Sequence, residues 1–154
     1  ISSNFERLLF EATGRDAAAV RAMMASLNQS GSFSIENRAL DEIRTLFSAG
    51  RSDVAETGGM IRAVLASDNY LADPHTAVGL AVARRQPQSS APMIVLSTAH
   101  PAKFPDAVKE ACGIDPALPP FLSDLMSRQE KFSVLPSTLE MVQRHIEGVA
   151  RVAQ

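Results

Sequence analysis

The residues best placed to do chemistry are the polar ones that follow the short apolar run Met93 to Leu96. Ser97, Thr98, Ala99 and His100 come directly after this run. An unbroken apolar run of this length predicts a strand buried on both faces, and ligands of open α/β sheets bind outside the carboxyl ends of strands. The hydroxyls of Ser97 and Thr98 are therefore candidates for contacting a ligand. The alternative, and the more common role, is that they only satisfy backbone groups of a turn.

A second candidate site is the sequence Asp73-Pro74-His75-Thr76. Asp73 suits the N-cap of a helix and Pro74 its first position, where a missing N–H does no harm. His75 and Thr76 would then lie in the first turn, where free N–H groups and the helix dipole favour anions. The pattern is explained either by anion binding or by plain capping through Asp73.

Two other kinds of site find little support. Ser97, His100 and Asp106 are the ingredients of a hydrolase triad, but the chain has no G-x-S-x-G motif. His75, His100 and His145 lack the spacing of helical metal ligands, so we expect no metal site. The glycine motifs that bind nucleotide phosphates are also absent from the sequence.

The elements that must position these residues are mostly helices. Cap residues and apolar spacing predict six to eight helices. Their predicted starts lie near Ser3, Asp16, Ser34, Asp53, Asp73, Phe104, Phe121 and Ser137. Gly58 and Gly59 fall inside the fourth helix, which suggests a close packing partner or a ligand there. We expect the third helix to turn Leu46 and Phe47 inward. We expect the last helix to bury Leu139, Val142, Ile146 and Val149.

The run from Met93 to Leu96 is the one clear strand in this prediction. A strand without neighbours would leave its N–H and C=O groups unpaired, and residues 131–135 are at best a weak partner. The expected fold class is therefore α/β, mostly helical with one buried strand. We expect residues outside this chain, or a second copy of it, to complete the sheet.

Composition excludes several classes of protein. The 154 residues are 45% hydrophobic and 21% charged, with a formal net charge of −2, which is typical of a globular domain. No basic surplus indicates binding to nucleic acid or to an anionic membrane. Cys112 is the only cysteine, so an internal disulfide is excluded. The sequence has neither an apolar segment long enough to span a membrane nor a secretory signal. We therefore predict a cytoplasmic protein.

Two longer strings carry a family resemblance. Residues 70–79 read YLADPHTAVG and residues 96–104 read LSTAHPAKF. In this order and at this separation they resemble the C-terminal part of the threonine synthase family of pyridoxal-phosphate enzymes. The opening ISSNFERLLFE resembles a stretch in the middle of that family, so the resemblance covers nearly the whole chain.

The resemblance implies a fold-type II pyridoxal-phosphate enzyme of α/β architecture. Members of this family are lyases of threonine biosynthesis that convert O-phospho-L-homoserine and water to L-threonine and phosphate. By this resemblance, residues 1–154 are a C-terminal fragment, in which 1–50 form a helical segment and 51–154 belong to the α/β cofactor domain. The absence of an initial Met agrees with a processed chain or a fragment.

The resemblance also implies roles for particular residues. In this family a hydroxyl residue of the second string meets the pyridine nitrogen of pyridoxal 5′-phosphate, and Thr98 is the matching position. A neutral hydroxyl there favours an unprotonated ring, whereas a carboxylate would favour the protonated form. The other candidates for contacting substrate or shaping the site are Asp73, His75, Thr76, Ser97, His100 and Lys103.

The catalytic lysine is the main departure from the family pattern. The family's Schiff-base lysine and its phosphate-binding loop belong to the N-terminal half, and none of Lys103, Lys109 and Lys131 matches that motif. We therefore expect no catalytic residue in this fragment and no activity of the isolated chain. We expect it to associate with the missing N-terminal half or with itself.

Two other functions stay open at this point. The first is a related pyridoxal-phosphate lyase that acts on another amino acid. The second is a helical interaction module without enzymatic activity.

Overall fold

The computed structural model describes residues 3–87 and 89–151. Within them, seven α-helices make up most of the regular structure. The helices are α1 (Ser3–Ala12), α2 (Ala17–Ser30), α3 (Asn37–Arg44), α4 (Val54–Asp68), α5 (Pro74–Arg84), α6 (Pro105–Cys112) and α7 (Leu139–Val149). Short 3₁₀ turns cover Pro101–Lys103, Pro120–Leu122 and Leu125–Ser127.

The first three helices pack around α1. This helix contacts both α2 and α3, with Leu9 fully buried and Ala39 of α3 nearly so. The predicted cap of α2 is confirmed, because the Asp16 side chain accepts hydrogen bonds from the N–H groups of Ala18 and Ala19. The helix ends before Gly31, which adopts the left-handed conformation with a φ of 76°.

The prediction for α3 is wrong at both ends. The helix begins at Asn37 without a side-chain cap, and Ser34 lies outside it. It ends at Arg44, where the following N–H groups bond to carbonyls only three or four residues back. Leu46 and Phe47 therefore lie beyond the helix and are 83% and 53% exposed rather than turned inward.

Helix α4 is the centre of a second group, since it packs against both α5 and α6. The core of this group consists of Ile61, Val64, Ala72, Ala77, Ala81 and Val108. The predicted start at Asp53 is confirmed, and the cap is a capping box: Asp53 accepts from the Glu56 N–H, and Glu56 accepts from the Asp53 N–H. A Cβ at Gly58 would lie 3.7 Å from the Cβ of Ala111, so the close packing partner expected at this glycine is α6.

The buried strand predicted over Met93 to Leu96 is wrong. No strand forms in residues 3–87 and 89–151, and Ile94 and Leu96 are 80% and 74% exposed. The physical reason is that a strand needs a neighbouring segment to pair with its backbone. The weak candidate partner also forms no strand, and its Phe132 and Val134 are largely exposed.

The C-terminal region departs further from the prediction. The helix expected from Phe121 to Arg128 is replaced by two short 3₁₀ turns. Helix α7 forms, but Thr138 makes no side-chain cap bond. The residues expected to face inward from α7 are 40–74% exposed, and they are Leu139, Val142, Ile146 and Val149. They are exposed because α7 makes no extensive contact with another element of the described chain.

Charged surface groups in this region form local pairs. Arg128 donates to the carboxylate of Asp124 over 2.7 Å, and this hydrogen bond lowers the pKa of Asp124. Across the described ranges, none of the helices combines the length and hydrophobicity that crossing a bilayer requires.

Candidate functional site

The two strings singled out in the sequence lie against each other in the structure. The hydroxyl of Tyr70 is hydrogen-bonded to the hydroxyl of Ser97 over 2.9 Å. A Cβ at Gly79 would lie only 3.2 Å from Cγ1 of Val95, so these residues are in close contact. A third contact joins the rings of His75 and Phe104, described below. The chain thus brings together two regions that are about twenty residues apart.

Asp73 holds the start of α5 through a fully buried carboxylate. It accepts a hydrogen bond from the His75 N–H over 3.0 Å and another from the hydroxyl of Thr76. Thr76 itself is only 3% exposed. Because a carboxylate of the chain already occupies this helix start, an added anion would meet negative charge there. The geometry supports capping by Asp73 rather than anion binding at these N–H groups.

His75 and Lys103 meet at the ring of Phe104. The His75 Nδ1 lies 3.1 Å from the Asp73 carboxylate, and its ring centroid lies 4.6 Å from that of Phe104 at an angle of 49°. On the same aromatic ring, Lys103 Nζ lies 5.8 Å from the centroid, within the range of a cation–π contact. Phe104 was missed as a site residue, although it lies within the second string.

Ser97, His100 and Asp106 do not assemble into a hydrolase triad. Ser97 uses its hydroxyl in the bond to Tyr70. The Nδ1 of His100 accepts from the Ala102 N–H over 3.2 Å and so caps the turn that follows. Asp106 lies in the first turn of α6, and no hydrogen bond joins the three side chains within the described structure.

Thr98 lies in an exposed stretch of its segment. Val95 and Ala99 are half-buried, whereas Leu96, Ser97 and Thr98 are all exposed. The Thr98 hydroxyl has no hydrogen-bond partner among the residues that the structure describes. A hydroxyl buried in packed hydrocarbon would have excluded contact with a ligand, and this one is accessible.

A cavity of about 320 Å³ borders the same segment. Tyr70, Ser97, His100 and Pro116 contribute to its wall, whereas Thr98 does not. Tyr70 is the second residue that sequence reasoning missed as part of the site. Its contact with Ser97 spans 27 positions, and no local spacing signals a contact over that distance.

Comparison with known proteins places the chain among its relatives. The family model described as threonine synthase, C-terminal, matches residues 76–146. The threonine synthase of Pseudomonas aeruginosa is 44% identical over 95% of this chain and 32% of its own length. That of Corynebacterium glutamicum is 37% identical over 94% of this chain and 31% of its own length.

Solved structures agree with these matches. The pyridoxal-phosphate-bound threonine synthase of Brucella melitensis is similar to 99% of this chain, with a TM-score of 0.71 and 58% identity. The yeast threonine synthase is similar to 96%, with a TM-score of 0.65 and 30% identity. The chain spans about a third of the length of each of these proteins.

Proposed function

The chain belongs to the threonine synthase family as a C-terminal portion of it, and we propose that it forms part of an enzyme of threonine biosynthesis. The reaction is the conversion of O-phospho-L-homoserine and water to L-threonine and phosphate. One observation carries the proposal: the two family strings fold against each other and leave the Thr98 hydroxyl accessible. The identities of the relatives over nearly the whole chain support it.

We propose pyridoxal 5′-phosphate as the cofactor, with Thr98 as the residue that meets its pyridine nitrogen. The name of the Brucella melitensis structure, which states that this cofactor is bound, supports the choice. When bound, the cofactor supplies an electron sink for carbanion chemistry. The residues present fit the group, because Thr98 offers an exposed neutral hydroxyl that makes no hydrogen bond within the described residues. Such a hydroxyl can accept or donate a hydrogen bond without adding charge beside the ring.

The remaining site residues divide into two roles in this proposal. Asp73 and Thr76 fix the start of α5, and Ser97 and His100 hold the backbone on either side of Thr98. All four act as site-shaping residues. His75 and Lys103, by contrast, are largely exposed around Phe104. We assign Lys103 to the phosphate of the substrate, since it brings a positive charge, and His75 to shaping the site through its contacts with Asp73 and Phe104.

We further propose that the chain works together with a preceding N-terminal part or with another copy. In this view residues 51–154 contribute to the cofactor domain and residues 1–50 form a helical segment beside it. The lysine that binds the cofactor comes from the N-terminal part, because none of the three lysines of this chain matches its motif. A cytoplasmic location is part of the proposal.

Phosphate release tests the proposed function. The full-length form, meaning this chain joined to the N-terminal part that its relatives have, is supplied with pyridoxal phosphate and O-phospho-L-homoserine. We expect it to release phosphate and form threonine, and we expect the isolated chain to do neither. Turnover by the isolated chain would contradict the assignment of the lysine. Failure of a folded, cofactor-loaded full-length form to act on this substrate would contradict the proposed reaction.

A further inference from the structure

We propose that Tyr70 is a positioning residue that, through Ser97, sets the direction in which Thr98 points. The inference rests on the proposed function, because it assumes that Thr98 meets the cofactor. It adds to that function a residue of the first string that controls a residue of the second. Tyr70 itself is not assigned a contact with cofactor or substrate.

The position of Tyr70 makes it a firm anchor. It lies three residues before the Asp73 cap of α5, and both Ala72 and Asp73 are fully buried. The backbone that carries Tyr70 is therefore tied to the core of the α4–α5–α6 group. Its side chain is 42% exposed and reaches outward to the Ser97 hydroxyl at 2.9 Å.

The segment from Val95 to Thr98 has two attachments to residues 70–79. Val95 contacts the helix surface at Gly79, and Ser97 is bonded to Tyr70. Thr98 directly follows Ser97, so the bond between Ser97 and Tyr70 restricts the backbone dihedrals that set where the exposed Thr98 side chain points.

The Tyr70–Ser97 bond is the attachment next to Thr98. The next fixed point along the chain is the turn that begins after His100, where its Nδ1 accepts from Ala102. Without the Tyr70 hydroxyl, the backbone between Val95 and His100 loses its only side-chain hydrogen bond in the described structure. Thr98 would then rotate over a wider range and meet the cofactor ring less often.

The test compares Tyr70→Phe, Ser97→Ala and the double variant in the cofactor-loaded full-length form. Tyr70→Phe keeps the ring and removes only the hydroxyl. We expect it to weaken pyridoxal phosphate binding roughly three- to tenfold, as the loss of one neutral hydrogen bond implies. We also expect the pH dependence of the cofactor's visible absorbance to shift in the same direction as in Thr98→Ala. Ser97→Ala should weaken cofactor binding and shift the pH dependence of the absorbance to the same extent. The double variant should show no larger effect than either single variant.

The control is Thr13→Val, which deletes a hydroxyl bonded to the carbonyl of Leu9 at the end of α1. It should leave the absorbance and its pH dependence unchanged. If Thr98→Ala alters the absorbance and neither Tyr70→Phe nor Ser97→Ala does, the inference about Tyr70 is wrong and the proposed function stands. Additive effects of the two variants would also overturn it. If Thr98→Ala itself leaves the absorbance unchanged, both the inference and the role of Thr98 fall.

Discussion

At the scale of single residues, the Asp73 carboxylate organises the first string. It is fully buried, yet it accepts the His75 N–H and the Thr76 hydroxyl and lies beside the His75 ring. A buried carboxylate is tolerated only when such partners replace its hydration. The cap, the buried threonine and the histidine contact therefore depend on one side chain.

Removal of the Asp73 carboxylate should lower the free energy of unfolding far more than removal of an ordinary helix cap. Asp73→Ala leaves the buried Thr76 hydroxyl and the His75 N–H without their acceptor, and we expect a loss of about 2–4 kcal/mol. The matched control is Asp16→Ala, which removes an exposed cap from α2 and should cost about 1 kcal/mol. Urea unfolding of both variants measures the difference. Equal losses would contradict the central role given to Asp73.

Residue-scale prediction from sequence found three of the caps, failed for those of α3 and α7, and missed the long-range contacts. Asp16, Asp53 and Asp73 were identified because an N-cap bonds to N–H groups two or three residues away, a distance that spacing reveals. Tyr70 and Phe104 were missed as site residues because their contacts with Ser97 and His75 join positions 27 or more apart in the chain. Only the packing of α5 beside the second string brings them together.

At the scale of elements, the site is a contact between the face of α5 and the segment that carries Thr98. Gly79 lies in α5 where the segment passes closest, and Val95 fills the space that a side chain would need. The absence of a Cβ at this position lets the segment lie directly on the helix. The close contact between Val95 and Gly79 therefore sets the distance of Ser97 and Thr98 from α5.

Alanine in place of Gly79 should disturb the segment that carries Val95 and Thr98. A Cβ 3.2 Å from Val95 forces the segment outward by a few tenths of an ångström, which offsets the usual gain of an alanine in a helix. The control is Gly148→Ala in α7, where nothing lies within 4 Å, and it should stabilise by about 0.5–1 kcal/mol. Thermal unfolding should show a gain for Gly148→Ala and none for Gly79→Ala. Val95→Ala combined with Gly79→Ala should restore the gain in thermal stability. If Gly79→Ala alone stabilises the chain as much as Gly148→Ala does, the close packing is contradicted.

Elements were predicted well where a local signal defines both ends. Helix α5 begins at Pro74 directly after its Asp73 cap, as the sequence predicts, and α6 ends at Cys112 before Gly113, whose φ is 76°. The run from Met93 to Leu96 shows why others failed. Four apolar residues in a row have the same pattern whether or not a partner strand lies beside them, and no partner is present in the described structure.

At the scale of the whole molecule, large apolar side chains remain uncovered. Ile94, Leu96, Phe121 and Met126 are each at least 74% exposed, and the apolar residues of α7 add to this surface. Soluble monomers rarely expose such groups in continuous patches. The chain also spans about a third of the length of its relatives, which supports the proposal that further polypeptide covers these side chains.

The isolated chain should therefore self-associate unless the N-terminal part is supplied. Charged substitutions at Ile94 and Leu96, to lysine, should shift the purified chain toward the monomer because they remove part of the apolar surface. The control is lysine at Ala150, beyond the end of α7, which should change nothing. Analytical ultracentrifugation over a range of concentrations measures the outcome. A stable monomer of the unaltered chain at high concentration would contradict the expected association.

The central claim is that the Thr98 hydroxyl meets the pyridine nitrogen of the cofactor, and nitrogen NMR tests it most directly. The full-length form is loaded with pyridoxal phosphate labelled with ¹⁵N in the ring, and the ring signal is compared between the unaltered protein, Thr98→Asp and the control Thr45→Asp. We predict an unprotonated ring nitrogen in the unaltered protein and the control, and a protonated one in Thr98→Asp, because a carboxylate stabilises the charged ring. An identical ¹⁵N signal in all three proteins would contradict the account.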